Sequence, residues 1–260
     1  MNGTVTGSHA DEVQADRPVW GTRSKRLAAI AGVLYLLVGV FGGFAQGFVS
    51  PKVYVAGDAA ATAGNLVAHS GLVRAAVVAD LFQTTLWVLL ALTLYRLLKH
   101  VNTNAARVMV VLVAVGAGIT CLNAVFEFEA LRAATGAVDL SSLGPAGCNA
   151  LILLLVDTQH YGLLTAQIFF GLWLVPLGYL AYRSSWFAKA LGVLLVVGGA
   201  CYLADMLAAF LLPDLDPKIH TVIVIPCAVA EIWMVGHLLY LGVRKVKADD
   251  PGQVDPPTAH

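Results

Sequence analysis

The chain alternates long apolar runs with short polar ones. From Leu27 to Val49 (LAAIAGVLYLLVGVFGGFAQGFV) no charged residue interrupts 23 consecutive positions. A helix crosses the hydrocarbon of a bilayer with about 20 mainly apolar residues, because each adds about 1.5 Å of rise. The run is long enough to be a membrane span, and the same criterion predicts five more, at about 72–98, 108–131, 158–182, 186–212 and 221–243. The predicted fold class is therefore all-α, a polytopic membrane protein built as a six-transmembrane-helix bundle over 22–246. Polar cytoplasmic tails, expected to be disordered, flank it at 1–21 and 247–260. The first apolar run is longer than a signal-peptide core and has no obvious small-residue cleavage site, which reads as an uncleaved anchor.

The segments between spans are unequal. His100–Ala106 and Arg183–Ser185 are short turns. Gly57-Asp58 followed by AAATAGNLVAH reads as a short helix capped by Asp58, whose carboxylate accepts backbone N–H groups at the positive helix end. It is too short to span and is expected to lie flat on the outer interface. SSLGPAGCNALILLLV (141–156) reads as a Gly/Pro turn and a short apolar helix leading directly into the fourth span.

Composition agrees with this pattern. Hydrophobic residues make up 58%, charged residues 12%, and mean hydropathy is +0.77, against about 25% charged in soluble domains. Sixteen bases balance 16 acids, so no basic excess exists to grip phosphates, and nucleic acid is excluded as a partner. The bases are unevenly placed. With the N-terminus inside, Arg17, Arg23, Lys25, Arg26, Arg96, Lys99, Arg107, Arg183, Lys189, Arg244, Lys245 and Lys247 are cytoplasmic, while Lys52, Arg74, Arg132 and Lys218 are external. Excess Lys and Arg marks the cytoplasmic side, so both termini are expected in the cytoplasm and the protein in the cell membrane. Four cysteines (Cys121, Cys148, Cys201, Cys227) lack CxxC spacing and three fall within spans, which argues for packing over a disulfide or zinc site.

Four acids lie inside spans: Asp80, Glu127, Asp205 and Glu231. A charge at a helix centre costs about 2.5–3.5 kcal/mol on insertion scales, and such residues mark functional sites by default. Helical rise places them about 12, 9, 10 and 15 Å below the external edge. One shared depth on four helices suggests a single pocket. Helical spacing adds neighbours: Gln83 beside Asp80, with Thr84 and Trp87; Asn123 one turn from Glu127; Asp157, His160 and Gln167 on one stripe; Cys201 and Tyr202 beside Asp205; His220 and Cys227 in line with Glu231; Tyr35, Gly39, Gly42 and Gln46 on the first span. The expected ligand-binding set is Asp80, Gln83, Asn123, Glu127, His160, Gln167, Asp205 and Glu231, lining a polar funnel that opens externally. Arg74 and Arg132, near outer helix ends, could each bend inward to one acid, which leaves at least two acids protonated or bound to a cation.

Asp157-x-x-His160 suits either a carboxylate–imidazole bond or, with Glu127 and Glu231, a metal site. Glu129 faces elsewhere, and His69 and His220 sit near the outer surface. His237 reads as a packed polar group between helices, and Gly39-xxx-Gly43 as a close-packing pattern. The five tryptophans need no special role. Pro176 and Pro226 could break their spans.

Several segments together carry a resemblance: RLAAIAGVLYLLVG (26–39), GDAAATAGNL (57–66), LVRAAVVADL (72–81), QHYGLLTAQIFFGLWLVPLGYLAYRSSW (159–186), ALGVLLVVGGACYLAD (190–205) and PCAVAEIWMVGHLLYLGVR (226–244). Over about 22–246 the chain resembles the bacterial six-helix membrane family catalogued as domain of unknown function 4386. The resemblance implies the six-span fold and assigns no activity or catalytic residue.

The residues support three readings: a pocket that binds a small cation, solute or lipid headgroup, with or without transport; a membrane-embedded acid–base or metal-assisted enzyme acting on a lipid-like substrate; or a sensor or scaffold with a structural polar core. The bilayer is the expected partner and a small cation or lipid the candidate ligand. No cofactor is implied, and nothing in the sequence sets an oligomeric state.

Overall fold

The computed structural model describes residues 21–212 and 217–244. Apart from Gly21, the two expected tails lie outside the described residues, as does the side chain of His220. Six helices are long and apolar enough to cross a membrane. The first, α1 (Thr22–Gly42), continues through a π-helical turn (Gly43–Val49) into the short helix α2 (Ser50–Val53). Two sequence features favour the wide turn. Glycines punctuate it, and Pro51 has no N–H to return to the carbonyl four residues back, at Gly47.

Helix α3 (Ala59–Ala68) is capped as expected, with Asp58 accepting the Ala61 N–H at 2.9 Å. One of its faces is covered by the bundle. Thr62, Ala63 and Leu66 are buried, and α3 packs on the ends of the next long helices. These are α4 (Ser70–Leu98), α5 (Thr103–Ala134) and α6 (Gly144–Arg183). With α2, α3 roofs this end of the bundle over an apolar cluster that includes Val49, Leu66, Val73, Leu131 and Ile152. The short helix expected before the fourth span is fused to it, so α6 is 40 residues long, about 60 Å at helical rise. Helices α7 (Lys189–Leu211) and α8 (Pro217–Val243) complete the set. Pro176 and Pro226 sit inside unbroken helices, so neither breaks its span; neighbouring helices in a bundle let a chain tolerate the lost hydrogen bond.

Among the described residues each long helix packs on its chain neighbour, and α8 closes against α1, so the six form a ring. Two seams depend on glycine. A Cβ on Gly171 would lie 2.6 Å from the Gly199 carbonyl oxygen, and one on Gly178 would lie 2.6 Å from that of Gly192. The α6 and α7 backbones therefore touch at two points two helical turns apart, the close approach that only small residues allow. On the other side of the ring, Gly32 meets Leu239 and Gly242 meets Ala29, joining α1 to α8.

The ring differs at its two ends. In the half away from the roof, Leu90, Leu94, Leu97, Met109, Leu177, Leu191, Met234 and Leu238 fill the interior. His237 sits there as a packed polar group, its Nε2 3.0 Å from the Trp186 carbonyl oxygen. At the same end His100, in the α4–α5 turn, lies against Trp186 of the α6–α7 turn, ring centres 4.4 Å apart. Partial desolvation there lowers the pKa of the otherwise exposed His100 from its ordinary 6.5, and a backbone hydrogen bond at Leu97 opposes this. The fold thus favours neutral imidazole. As pH falls the unfolded chain takes up the proton first, so the contribution of His100 to stability is complete above 6.5 and is lost as pH falls through its lower folded value. Histidine NMR should find His100 titrating below 6.5, with Trp186→Ala moving it back up. A midpoint at or above 6.5 in the parent would contradict shielding of His100 by Trp186.

Candidate functional site

In the roofed half the ring encloses a cavity of about 1080 Å³, at the upper end of the range for small-molecule sites. An aromatic floor closes it. Tyr35 and Trp173 lie with ring centres 5.6 Å apart, Trp87 and Trp173 at 5.8 Å, and Trp87 and Phe170 at 5.0 Å. All four side chains line the cavity, with the leucine core behind them. Trp87 and Trp173 are thus packed into this floor.

The polar groups are held helix against helix. Glu231 of α8 accepts the Tyr35 hydroxyl from α1 at 3.2 Å and the Tyr202 hydroxyl from α7 at 3.5 Å. Asp205 of α7 is 1% exposed and accepts Gln167 Nε2 from α6 at 2.8 Å. Asp80 of α4 accepts Gln46 Nε2 from the π-helical turn at 3.0 Å. That turn breaks the 3.6-residue register where the chain must aim Gln46 sideways at α4. Two acceptor atoms here are buried without a hydrogen-bond partner, Asp80 Oδ1 and Gln167 Oε1.

Six of the eight residues expected to bind a ligand line this cavity: Asp80, Gln83, His160, Gln167, Asp205 and Glu231. Asn123 and Glu127 do not, and α5 contributes Thr120 instead. Glu127 borders a separate void of about 20 Å³ beneath the roof, with Ser50, Tyr54, Leu66 and Gln159. Ser50 borders both spaces. α3 packs on α5, and residues of α2, α3, α5 and α6 bound this second void, so Glu127 and the cavity-lining acids border different spaces. Asn123 is buried against Gly162 of α6, where a Cβ would strike its amide.

Asp157 and His160 are drawn toward the roof. Tyr54 donates to Asp157 at 2.8 Å and its ring lies 5.1 Å from that of His160. Burial first, and then the bond to Asp157, hold the Tyr54 hydroxyl well above the usual tyrosine range, so it remains a donor at neutral pH. Among the described residues no three His, Cys, Asp or Glu side chains are grouped to hold a metal; Asp157, His160, Glu127 and Glu231 do not assemble as one site. The two bases expected to reach inward do not. Arg132 pairs with Glu129 at 2.7 Å, and Arg74 is exposed. No Lys or Arg is among the described residues that line the cavity.

A family model described as Domain of unknown function (DUF4386) matches residues 30–242. The chain belongs to this family. No curated protein and no solved structure matches it. In this DUF4386 chain the matched stretch contains every described residue that lines the cavity and the glycines of the α6–α7 seam.

Three partners in the site carried little weight in the sequence. Tyr35, Tyr202 and Gln46 fall on the polar stripes, yet only contact across the ring reveals them as the donors to Glu231 and Asp80. Tyr54 and Gln159 of this DUF4386 protein had no such signal. Tyr54 lies outside any span, and Gln159 faces the void through a roof that helical periodicity does not describe.

Proposed function

We propose that this DUF4386 protein is a multi-pass membrane protein whose cavity binds a ligand with a positively charged, hydrogen-bond-donating head. The observation carrying the reading is the charge of the wall: Asp80, Asp205 and Glu231 face one cavity that no described Lys or Arg lines, and Asp80 Oδ1 and Gln167 Oε1 are buried acceptors in search of donors. A protonated amine supplies both charge and donors; an anion supplies neither. The mixed lining, polar on a few convergent groups and otherwise apolar, suits an organic cation better than a bare ion. The closed aromatic floor favours binding from one side over a path through the bundle. The distribution of Lys and Arg supports cytoplasmic termini in the cell membrane, with the cavity in the external half.

The test is thermal stability of the purified protein at fixed pH with n-butylamine or butyrate. A ligand at 100 times its Kd stabilises by about 2.7 kcal/mol. At about 2–4 °C per kcal/mol for a chain of this size, butylamine should raise Tm by several degrees and butyrate should not. Glu231→Gln should lose most of the shift while melting near the parent. Equal responses to amine and carboxylate, or none to either, would refute the reading.

A further inference from the structure

The α1–α8 seam closes at one end and parts at the other. Its antiparallel register is set by two contacts: a Cβ on Gly32 would lie 2.8 Å from the Leu239 side chain, and one on Gly242 would lie 2.7 Å from Ala29. Continued toward the roofed end, that register pairs Leu36 with Val235, Gly39 with Ile232 and Gly43 with Ala228. A Cβ on Gly39 or Gly43, however, meets nothing within 4 Å among the described residues. The helices have separated by that point, and the Tyr35–Glu231 hydrogen bond ties them at the fork.

The parted stretch opens into the cavity. Leu36, Gly39 and Gly43 of α1 and Ala228, Ile232 and Val235 of α8 all line it. Other parts of the wall are mixed: Asp80, Trp173 and Asp205 are 4%, 2% and 1% exposed, whereas Tyr161 of α6 and Leu212 at the end of α7 are 50% and 57% exposed. Leu36 is 46% exposed and Ile232 is 72% exposed, and with the open faces of Gly39 and Gly43 beside them they mark a break in the wall on the α1–α8 side. They lie on the sides of membrane-long helices, where the surroundings are hydrocarbon. Glu231, which sits in the same α8 turn as Ile232, carries the acidic end of the site to the edge of the gap.

We infer that the cavity is reached sideways from the bilayer between α1 and α8, and that its ligand is a lipid-like amphiphile whose protonated amine head sits among Asp80, Asp205 and Glu231 while its chain lies along the glycine face of α1. The inference rests on the binding reading above and narrows its ligand from any organic cation to a membrane-dissolved one. Gly39 and Gly43 then serve to leave room for a chain, where the sequence suggested close helix packing. An apolar tail left in the gap stays in contact with hydrocarbon, so only the head needs to be drawn into the protein.

The experiment uses the full chain in phosphatidylcholine nanodiscs and hexadecylamine bearing a diazirine on its chain and a terminal alkyne, with the matching hexadecanoic acid as comparison. Photolabelling by the amine should fall on peptides from α1 (Leu36–Gly43) and α8 (Ala228–Val235), be displaced by unlabelled hexadecylamine, and exceed labelling by the acid. Gly39→Trp should abolish it by filling the gap. Ile232→Trp, at a position whose side chain is exposed and can accept a larger apolar group, provides a second plug. Butylamine stabilisation is measured on the same samples, since a short soluble amine does not need the gap. Butylamine stabilisation retained with labelling lost in both plugged variants is the expected result. Labelling that persists in them, or that falls away from α1 and α8, overturns the lateral route and leaves the binding reading standing. No stabilisation and no labelling in the parent overturns both.

Discussion

Gly171→Leu should lower the melting temperature of the purified protein by about 6–12 °C, or prevent its accumulation. Forcing a side chain into a packed interior costs about 1–3 kcal/mol where neighbours can yield and more where they cannot. The neighbour here is the Gly199 carbonyl oxygen, 2.6 Å from the position of a Cβ, and backbone cannot rotate away. The α6 and α7 axes must part, and parting them strains the Gly178–Gly192 contact and the Gln167–Asp205 hydrogen bond on the same seam. At about 3 kcal/mol and 2–4 °C per kcal/mol, the expected shift follows. Gly118→Leu is the control: that glycine is exposed, a Cβ there meets nothing within 4 Å, and the variant should melt within about 0.5 kcal/mol of the parent. Equal melting of the two variants would mean that α6 and α7 do not meet at these glycines.

Gln46→Leu should cost about 1–2 kcal/mol, and Gln46→Leu with Asp80→Leu should cost less than the single change. Hydrogen bonds between helices in bilayers average only about 0.6 kcal/mol and reach about 1.7, so the bond alone sets a modest scale. Asp80 raises it, because its other oxygen is already buried without a hydrogen-bond partner. Losing Gln46 removes the only hydrogen bond described for the carboxyl, and a buried polar group so stranded costs about 1–3 kcal/mol. Removing the acid as well removes the group that suffers. The measurement is a double-mutant cycle by denaturant or thermal melting in one detergent. Additive losses would show that the two side chains act independently and that the π-helical turn does not serve to deliver Gln46 to α4.

The long helices were legible because hydropathy reports a solvent. A run such as Leu27–Val49 has one low-energy environment, and backbone hydrogen bonding in hydrocarbon keeps it helical. The Asp58 cap was legible for a similarly local reason, since donor and acceptor lie three residues apart. Six of the eight expected ligand-binding residues line the main cavity because rarity and helical face are also local properties. Reading depth without direction was the weak step. It let Arg132 bend inward when Glu129, one turn away on the same helix, was the nearer partner, and it gave no sign that Glu127 borders a smaller void of its own beside the cavity.

What the sequence determined by itself is thus the number of membrane-long helices and the polar stripe each one carries, because both follow from the chemistry of single residues and the pitch of the helix. Tertiary structure alone decided which stripes meet. The ring order, the roof that separates Glu127 from the cavity, the aromatic floor and the parting of α1 from α8 all depend on contacts between residues far apart in the chain. Those contacts are set by how closely two backbones approach. Gly171 and Gly199 bring their helices into touch, whereas Gly39 and Gly43, chemically the same, face open space. A glycine permits both outcomes, and only the position of the opposite helix selects between them.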